Sequence, residues 1–320
     1  MSEIRKDIFD NSWVIFSTNR GDRPNDYLNG NVNCPFCPGH EMETPQEIIS
    51  IKNKKGKWTI RVVPNRYPAV SKNNLINDSR IEGIYNALSA YGVHEVVIES
   101  EKHNALFEEM EIEKIEEILK IYAFRYKELY KVPGVKYVMV FKNVGMNAGA
   151  SLRHPHSQII ALPLVPKSVI SELNSSKKFF KRKNKCLFCE IIEQEKKFKK
   201  RVVYENKNFM VFCPFSSKFC YETWIIPKNH FSDFQNFRDY KQLAEIMKIT
   251  MKALKRTFSD LSYNMIIHSS PKENSAFYHW HIEILPKLAN MAGFEWGSGF
   301  YINIVEPEKA AEKLKKNIII

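Results

Sequence analysis

Two pairs of cysteines and two pairs of histidines carry the chemistry this sequence offers. Cys34 and Cys37 stand in CPFCPGHE, Cys186 and Cys189 in CLFCEIIE, each pair with a phenylalanine before its second cysteine. A C-x-x-C turn supplies two of the four N or S ligands that a tetrahedral zinc site requires. His154 and His156 in HPHSQIIALP, and His279 and His281 in HWHIEILP, add imidazoles that act as ligands or nucleophiles. Without a secretory leader, C-x-x-C spacing favours metal over a disulfide framework. A thioredoxin-like pair would occur once, at the opening of a helix, whereas this one occurs twice. Cys213 and Cys220 have no matching partner and are expected to be buried structural thiols.

The doubling extends beyond the cysteines. HEVVIESEKH from His94 aligns without a gap on YETWIIPKNH from Tyr221, which pairs Glu95 with Glu222 and His103 with His230. A segment of helical apolar spacing follows in each half, through Ile112, Ile115, Leu119, Tyr122 and Tyr126, and through Leu243, Ile246, Ile249, Met251 and Leu254. Next come the β-rich runs YVMVF from Tyr137 and YNMII from Tyr263, and then the His-x-His strands. An internal repeat is read before anything else, because it fixes the architecture. The expected fold is α+β, two tandem units that each have an antiparallel sheet with a long helix on one face. The boundary falls near residue 170, dividing residues 1–170 from 171–320. Repetition also completes the ligand sets: Cys34, Cys37, His103 and His154 in the first unit, Cys186, Cys189, His230 and His279 in the second. Four protein ligands leave no open position, so both zinc sites are expected to be structural.

On a strand alternate residues share a face, which puts His154, His156 and Gln158 on one side. With His154 fixed by metal, His156 is held beside it with its ring available to a substrate. Pro155 cannot donate to a ladder, and its presence predicts an edge or an opening. Ahead of the histidines, NVGMNAGASLR runs from Asn143 to Arg153, and small residues such as Gly149 let the backbone approach a ligand closely. Ser151 and Gln158 bracket the histidine pair and offer hydrogen bonds to phosphate oxygens.

Charge and composition limit the partners. The 320 residues carry a formal charge of +12, and eleven Lys or Arg against three Glu lie between Lys177 and Arg201. This basic segment is expected to be a solvated linker or extended loop, and the scattered basic residues elsewhere suit a small phosphorylated substrate. The opening MSEIRKDIFDNSW has no apolar run of the signal type, and no uncharged apolar stretch is long enough to span a bilayer, which leads to an expected cytoplasmic location with no membrane partner.

NVGMNAGASLRHPHSQ resembles the active-site segment of the galactose-1-phosphate uridylyltransferase family, within the histidine-triad superfamily. Similarity extends over nearly the whole chain, from RKDIFDNSWVIFSTNRGDRP to HWHIEILPKLANMAGFEWGSGFYINIVEPEKAA. The resemblance implies that His156 is the nucleophile and His154 a zinc ligand. It further implies phosphate contacts from Arg20 and Arg23, nucleotide contacts from Asn65 of PNRYPAV and from Asn143, and sugar contacts from Glu295. No glutamine follows Glu295 where the better-known uridylyltransferases have one; the loop GFEWGSGFYIN instead resembles the plant-type branch, which includes ADP-glucose phosphorylases. The family also commonly forms homodimers, and iron is an alternative to zinc at the second site.

The leading reading is therefore a uridylyltransferase of galactose metabolism that exchanges UMP between UDP-glucose and a hexose 1-phosphate, in ping-pong fashion through His156. Its rival moves AMP from ADP-glucose to inorganic phosphate. A zinc-ribbon nucleic-acid-binding protein is disfavoured: Phe179, Phe180 and Phe198 are the only stacking candidates beside the basic residues, and HPHSQ is left unexplained. For a histidine-triad hydrolase, Gln158 stands where a further histidine is expected, and an amide cannot protonate a poor leaving group. His281, lacking the NxGxxxGxS loop and the following glutamine, is expected to be a core or supporting residue rather than a nucleotide carrier.

Overall fold

The computed structural model describes residues 2–29, 33–76, 79–271 and 277–319. In the first half, β1 (Glu3–Lys6) and β2 (Trp13–Phe16) form a hairpin, the short α1 (Asp26–Asn29) follows, and then come β3 (Ile49–Lys52), β4 (Trp58–Pro64), β5 (Ser79–Glu82), β6 (Tyr85–Ser89) and β7 (Val93–Ile98). The long α2 (Ile112–Tyr130) leads to β8 (Tyr137–Val144) and β9 (His156–Leu162). The second half opens with α3 (Lys167–Lys183) and α4 (Leu187–Phe198). It continues through β10 (Val202–Glu205), β11 (Phe209–Phe212), β12 (Thr223–Pro227), α5 (Tyr240–Thr257), β13 (Tyr263–His268) and β14 (His281–Pro286), and ends in α6 (Gly293–Ser298) and α7 (Pro307–Lys316).

The expected duplication is drawn out as one antiparallel ten-stranded sheet in the order β10-β11-β12-β14-β13-β8-β9-β7-β4-β3. Read from either end, the order repeats the same unit, and β8 pairs with β13 at the seam, with Asn143 opposite Asn264. Helices α2 and α5 lie side by side on one face of this sheet. Their buried stripes, Ile115, Leu119, Tyr122 and Tyr126 on one and Leu243, Ile246, Met251 and Leu254 on the other, join a single core with Val97, Val140, Ile225 and Ile267 of the strands. The i, i+3, i+4 spacing puts these side chains on one helix face, and removing them from water drives the helices onto the sheet. Asp239 caps α5, its carboxylate accepting the Gln242 amide at 3.3 Å. On the other face of the sheet, α3 and α4 cover the second unit through Val169, Phe188 and Ile192. A small sheet of order β2-β1-β6-β5 covers the first through Ile4.

Three expectations are corrected here. The basic segment is not an extended loop: α3 and α4 take it up, each closed by a residue in left-handed conformation, Asn184 and Lys199. A narrow apolar stripe suffices for the helices, while Lys177, Lys181, Arg182, Lys196 and Lys200 remain exposed. Of the two places expected for Pro155 the edge is ruled out, because β9 lies inside the sheet between β7 and β8, whereas His156 beside it lines a cleft. The proline sits one residue before the first ladder position, where no donor is needed, and its carbonyl accepts the Glu99 amide at 3.0 Å.

The third correction concerns the gapless alignment. Val96 opposes Gln158 and Trp224 opposes Glu283, so the equivalent of Trp224 is Val96, not Val97. The β-runs shift as well, Tyr263 matching Val138, because Val138 opposes Ala161 as Tyr263 opposes Pro286. A one-residue slip on a strand exchanges its faces. Glu95 points into the helix layer, where Arg125 of α2 grips it with hydrogen bonds of 2.8 and 2.7 Å. Glu222 lies on the other face and corresponds to His94. The gapless match failed because the loop after β12 is one residue shorter than the loop after β7.

Candidate functional site

The segment preceding β9 is held from several directions. Gly145 ends β8 with φ +83°, and a Cβ there would stand 2.1 Å from the Ser262 hydroxyl, so only glycine fits. Asp26 clamps the loop: its amide donates to the Ser151 carbonyl at 2.9 Å and its carboxylate accepts the Arg153 amide at 3.2 Å. The Arg153 guanidinium lies 4.6 Å from the Tyr27 ring centre. Phe36, between the two cysteines of its turn, sets its ring 5.3 Å from the His156 ring.

His156 opens β9 and is 9 % exposed. Its Nδ1 lies 2.8 Å from the His154 carbonyl. A carbonyl only accepts, so Nδ1 carries the hydrogen and Nε2 keeps its lone pair. Burial pushes this imidazole below the usual histidine range, with the Lys142 charge acting in the same direction. A neutral ring with a free Nε2 is the form that attacks an electrophile. The cleft beside it is lined by Arg20, Arg23, Asn65, Ser151 and Gln158, among others. Arg20 is anchored by the Tyr67 carbonyl at 2.8 Å, and Arg23 by the Arg20 carbonyl at 2.9 Å.

Two further expected contacts lie elsewhere. Asn143 does not line the cleft; its amide oxygen accepts from Asn264 at 2.8 Å across the seam. Glu295 lies on α6, in a separate hollow with Lys218, Tyr301 and Ile302, and its carboxylate accepts the Ala292 amide at 3.0 Å. Gly149, at φ +77°, closes the turn Met146–Ala148 with open space where a side chain would be. Sequence reasoning passed over His94, Asp26 and Phe36. His94 lies within the repeated segment, but the alignment placed a tyrosine against it and so hid its position on the cleft face.

The eight proposed ligands gather into two groups. Cys34, Cys37, His103 and His154 bring their ligand atoms within 4.8 Å of one another, and so do Cys186, Cys189, His230 and His279. In the first group Cys37 Sγ lies 3.4 Å from His103 Nδ1 and 3.6 Å from His154 Nδ1. In the second, Cys189 Sγ lies 3.5 Å from His230 Nδ1 and 3.7 Å from His279 Nδ1. Zinc bonds to sulfur and nitrogen set at tetrahedral angles place those atoms about 3.5 Å apart, so the donor sets fit the ion. Each site also orients a histidine from behind, His154 Nε2 donating to the Ser100 carbonyl at 2.8 Å and His279 Nε2 to the Pro227 carbonyl at 2.9 Å.

Behind His156, on the helix face of the sheet, lies a buried polar cluster. The Glu99 carboxylate, wholly buried, accepts from Lys142 and Ser157 and, at 2.6 Å, from the Tyr122 hydroxyl. The second unit holds something different at the cleft position. Glu283 replaces Gln158, and the fully buried His281 stacks on Trp224 of β12 at 4.4 Å and on His268 of β13 at 4.8 Å. Burial would lower the His268 pKa, but Glu283 and Glu172 more than offset it and raise it to about 10. Glu172, His268, His281 and Glu283 also gather their donor atoms, but the imidazolium already balances carboxylate charge there. His281 is thus a core residue packed among rings.

Comparisons with known proteins bear on the chain as a whole. The profile for "Galactose-1-phosphate uridyl transferase, N-terminal domain" matches residues 2–166, and one for "Domain of unknown function (DUF4921)" matches residues 96–319. ADP-glucose phosphorylase of Arabidopsis thaliana is 36% identical over 98% of this chain and 92% of its own length. Galactose-1-phosphate uridylyltransferase of Thermotoga maritima is 32% identical over 99% of this chain and 98% of its own. Among solved structures, the Arabidopsis ADP-glucose phosphorylase with bound ADP-glucose superposes with a TM-score of 0.81 at 35% identity, covering 99% and 98% of the two chains. A uridylyltransferase superposes with a TM-score of 0.84 at 32% identity, covering 98% of each. Likeness at this identity over the full length leaves one conclusion: the chain belongs to the galactose-1-phosphate uridylyltransferase family and is a nucleotidyltransferase.

Proposed function

We propose that His156 carries a nucleoside monophosphate between a nucleotide sugar and a second phosphorylated acceptor, with UDP-glucose and a hexose 1-phosphate as the leading pair. The observation that carries this reading is the Nδ1 hydrogen bond of His156, which leaves Nε2 unprotonated at a cleft lined by Arg20 and Arg23. The Nε2 lone pair bonds to the α-phosphorus while the bond to the sugar 1-phosphate oxygen breaks, that oxygen leaving with the electron pair. The acceptor's phosphate oxygen then bonds to phosphorus, and the P–N bond electrons return to the imidazole. Dividing the transfer this way means that the two anions never have to meet. Ser151 and Gln158 hold the non-bridging oxygens while the arginines offset their charge.

Zinc in the two Cys2His2 sets would be structural, with iron an alternative in the second. The first set would fix His154 and hence the carbonyl that orients His156. Glu295 lies apart from the cleft of its own chain, and α6 and the loop after it expose Phe294, Trp296, Phe300 and Ile304. That apolar surface supports a homodimer in which one protomer's C-terminal loop reaches its partner's cleft. The six free cysteines suit a reducing cytoplasm, and among the described residues no helix is long and apolar enough to cross a membrane. Phe180 packs on Phe277 at 5.0 Å, which leaves the basic helices short of stacking platforms and speaks against a nucleic acid partner.

The adenylyl reading is favoured by the higher identity to the plant ADP-glucose phosphorylase, beside the plant-type loop GFEWGSGFYIN. Incubation with labelled UDP-glucose and, separately, ADP-glucose, each without acceptor, distinguishes the two by which nucleotide becomes bound covalently. His156→Ala should abolish labelling by either while keeping fold and metal content. Transfer at the wild-type rate in that variant would end the proposal.

A further inference from the structure

His94 is 4 % exposed and stands on β7 beside Gln158, on the cleft face. The Ala69 backbone amide donates to its Nδ1 at 3.1 Å. That amide has nothing to offer but its hydrogen, so Nδ1 must be the acceptor nitrogen and the ring hydrogen must lie on Nε2. Nε2 stands 3.0 Å from Gln158 Oε1. The same oxygen lies 3.4 Å from Asn65 Nδ2, and Asn65 is itself oriented, its Oδ1 accepting the Tyr67 amide at 2.8 Å. Asn65 Nδ2 also lies 3.2 Å from His94 Nε2, two donors side by side that converge on one acceptor. An amide has one oxygen and one NH2 group, so binding the oxygen on this side fixes where the NH2 group faces.

We infer that His94 is a positioning residue that makes Gln158 present its NH2 group, rather than its carbonyl oxygen, to the nucleotide's phosphate. The inference rests on the proposed transfer through His156 and adds what aims the amide. A flipped amide would set an oxygen against the phosphoryl oxygens, and the donor that stabilises them would be lost. Burial and the nearby Arg20 and Arg23 charges hold the His94 pKa at about 4, so the ring is neutral at neutral pH and keeps one acceptor nitrogen. The second unit shows the contrast. It places Glu222 at the His94 position and Glu283 at the Gln158 position, a pair with no amide to aim.

The test combines a spectroscopic and a kinetic arm on the full-length protein. In 15N-histidine-labelled enzyme, with the His94 signal assigned by its loss in His94→Gln, long-range 15N–1H spectra should show the Nε2–H tautomer. The Nδ1–H tautomer would overturn the inference without touching the role of His156. Kinetically, formation of the nucleotidyl-enzyme should slow about 10²-fold in His94→Ala, with the nucleotide-sugar KM little changed. His94→Gln offers an NH donor near the Nε2 position and should recover most of that loss, whereas His94→Glu, which can only accept, should be at least as slow as His94→Ala. In a Gln158→Ala background, His94→Ala should cost nothing more, because there is no amide left to aim. Losses that add in the double variant would overturn the proposal, as would equal rates for His94→Gln and His94→Ala. Retention of transfer in His156→Ala marks the separate failure of the underlying reading.

Discussion

His156 owes its tautomer to a neighbour's carbonyl rather than to a charged partner. With Nδ1 tied to the His154 carbonyl, the imidazole needs only to stay neutral, and burial ensures that. His154 in turn is oriented from one side by Ser100 and from the other by cysteine sulfurs 3.7 and 3.6 Å from its Nδ1. The proposed nucleophile and the candidate ligand set are thus joined through one backbone carbonyl. At this scale, Cys34→Ala and His103→Ala should each lose about one bound metal and part of the folding stability, because binding free energy at such a site is folding free energy. Elemental analysis of the wild type should return about two ions per chain. A count near one would show that the Cys186 and Cys189 set does not hold a metal.

At the scale of elements, the strands β7, β8 and β9 and the helix α2 meet in the cluster of Glu99, Lys142, Ser157 and Tyr122, directly beneath the strand that carries His156. The Glu99 backbone adds its amide to the Pro155 carbonyl. Burial would raise the Glu99 pKa, but Lys142, Ser157 and Tyr122 hold it below the usual carboxylate range. Removing one partner of such a buried pair strands the other charge, at a cost of about 3–5 kcal/mol, whereas removing both charges together is far less costly. Glu99→Gln and Lys142→Met should therefore each lower stability by about that amount in urea unfolding, and the double variant should lose less than the two singles combined. Additive losses would show that the two groups do not act as a pair.

For the whole molecule, duplication has not produced two independent bodies. The ten strands form one sheet, and the core under α2 and α5 draws on both halves and on α7, through Ala310, Ala311 and Leu314. Neither half can expose the β8–β13 seam without leaving a row of unpaired backbone groups. Calorimetry of the full chain is expected to give a single transition, with equal calorimetric and van't Hoff enthalpies. Two resolved transitions would mean that the units unfold separately. The halves have also diverged in chemistry: the first sets arginines and the His156 imidazole around its cleft, while the corresponding hollow of the second is lined by Glu172, Glu222, Trp224 and Glu283, with His281 wholly buried.

What the sequence determined by itself was everything that depends on local spacing. The Cys and His pairs, the helical stripes at Ile115 to Tyr126 and Leu243 to Leu254, and the order of elements in each unit were legible because 3.6- and 2-residue periods are properties of a few neighbouring residues. The grouping of Cys34, Cys37, His103 and His154 was legible for a different reason, that the same pattern is written twice. Strand register was decided only by the tertiary structure. A loop shorter by one residue moved Glu222 to the other face from Glu95, and no local period records such a shift. Likewise the basic run became α3 and α4 because a packed surface was available for Val169, Phe188 and Ile192. The orientation of Gln158 depends on Ala69, Asn65 and His94, which meet only when separate strands and loops are folded together.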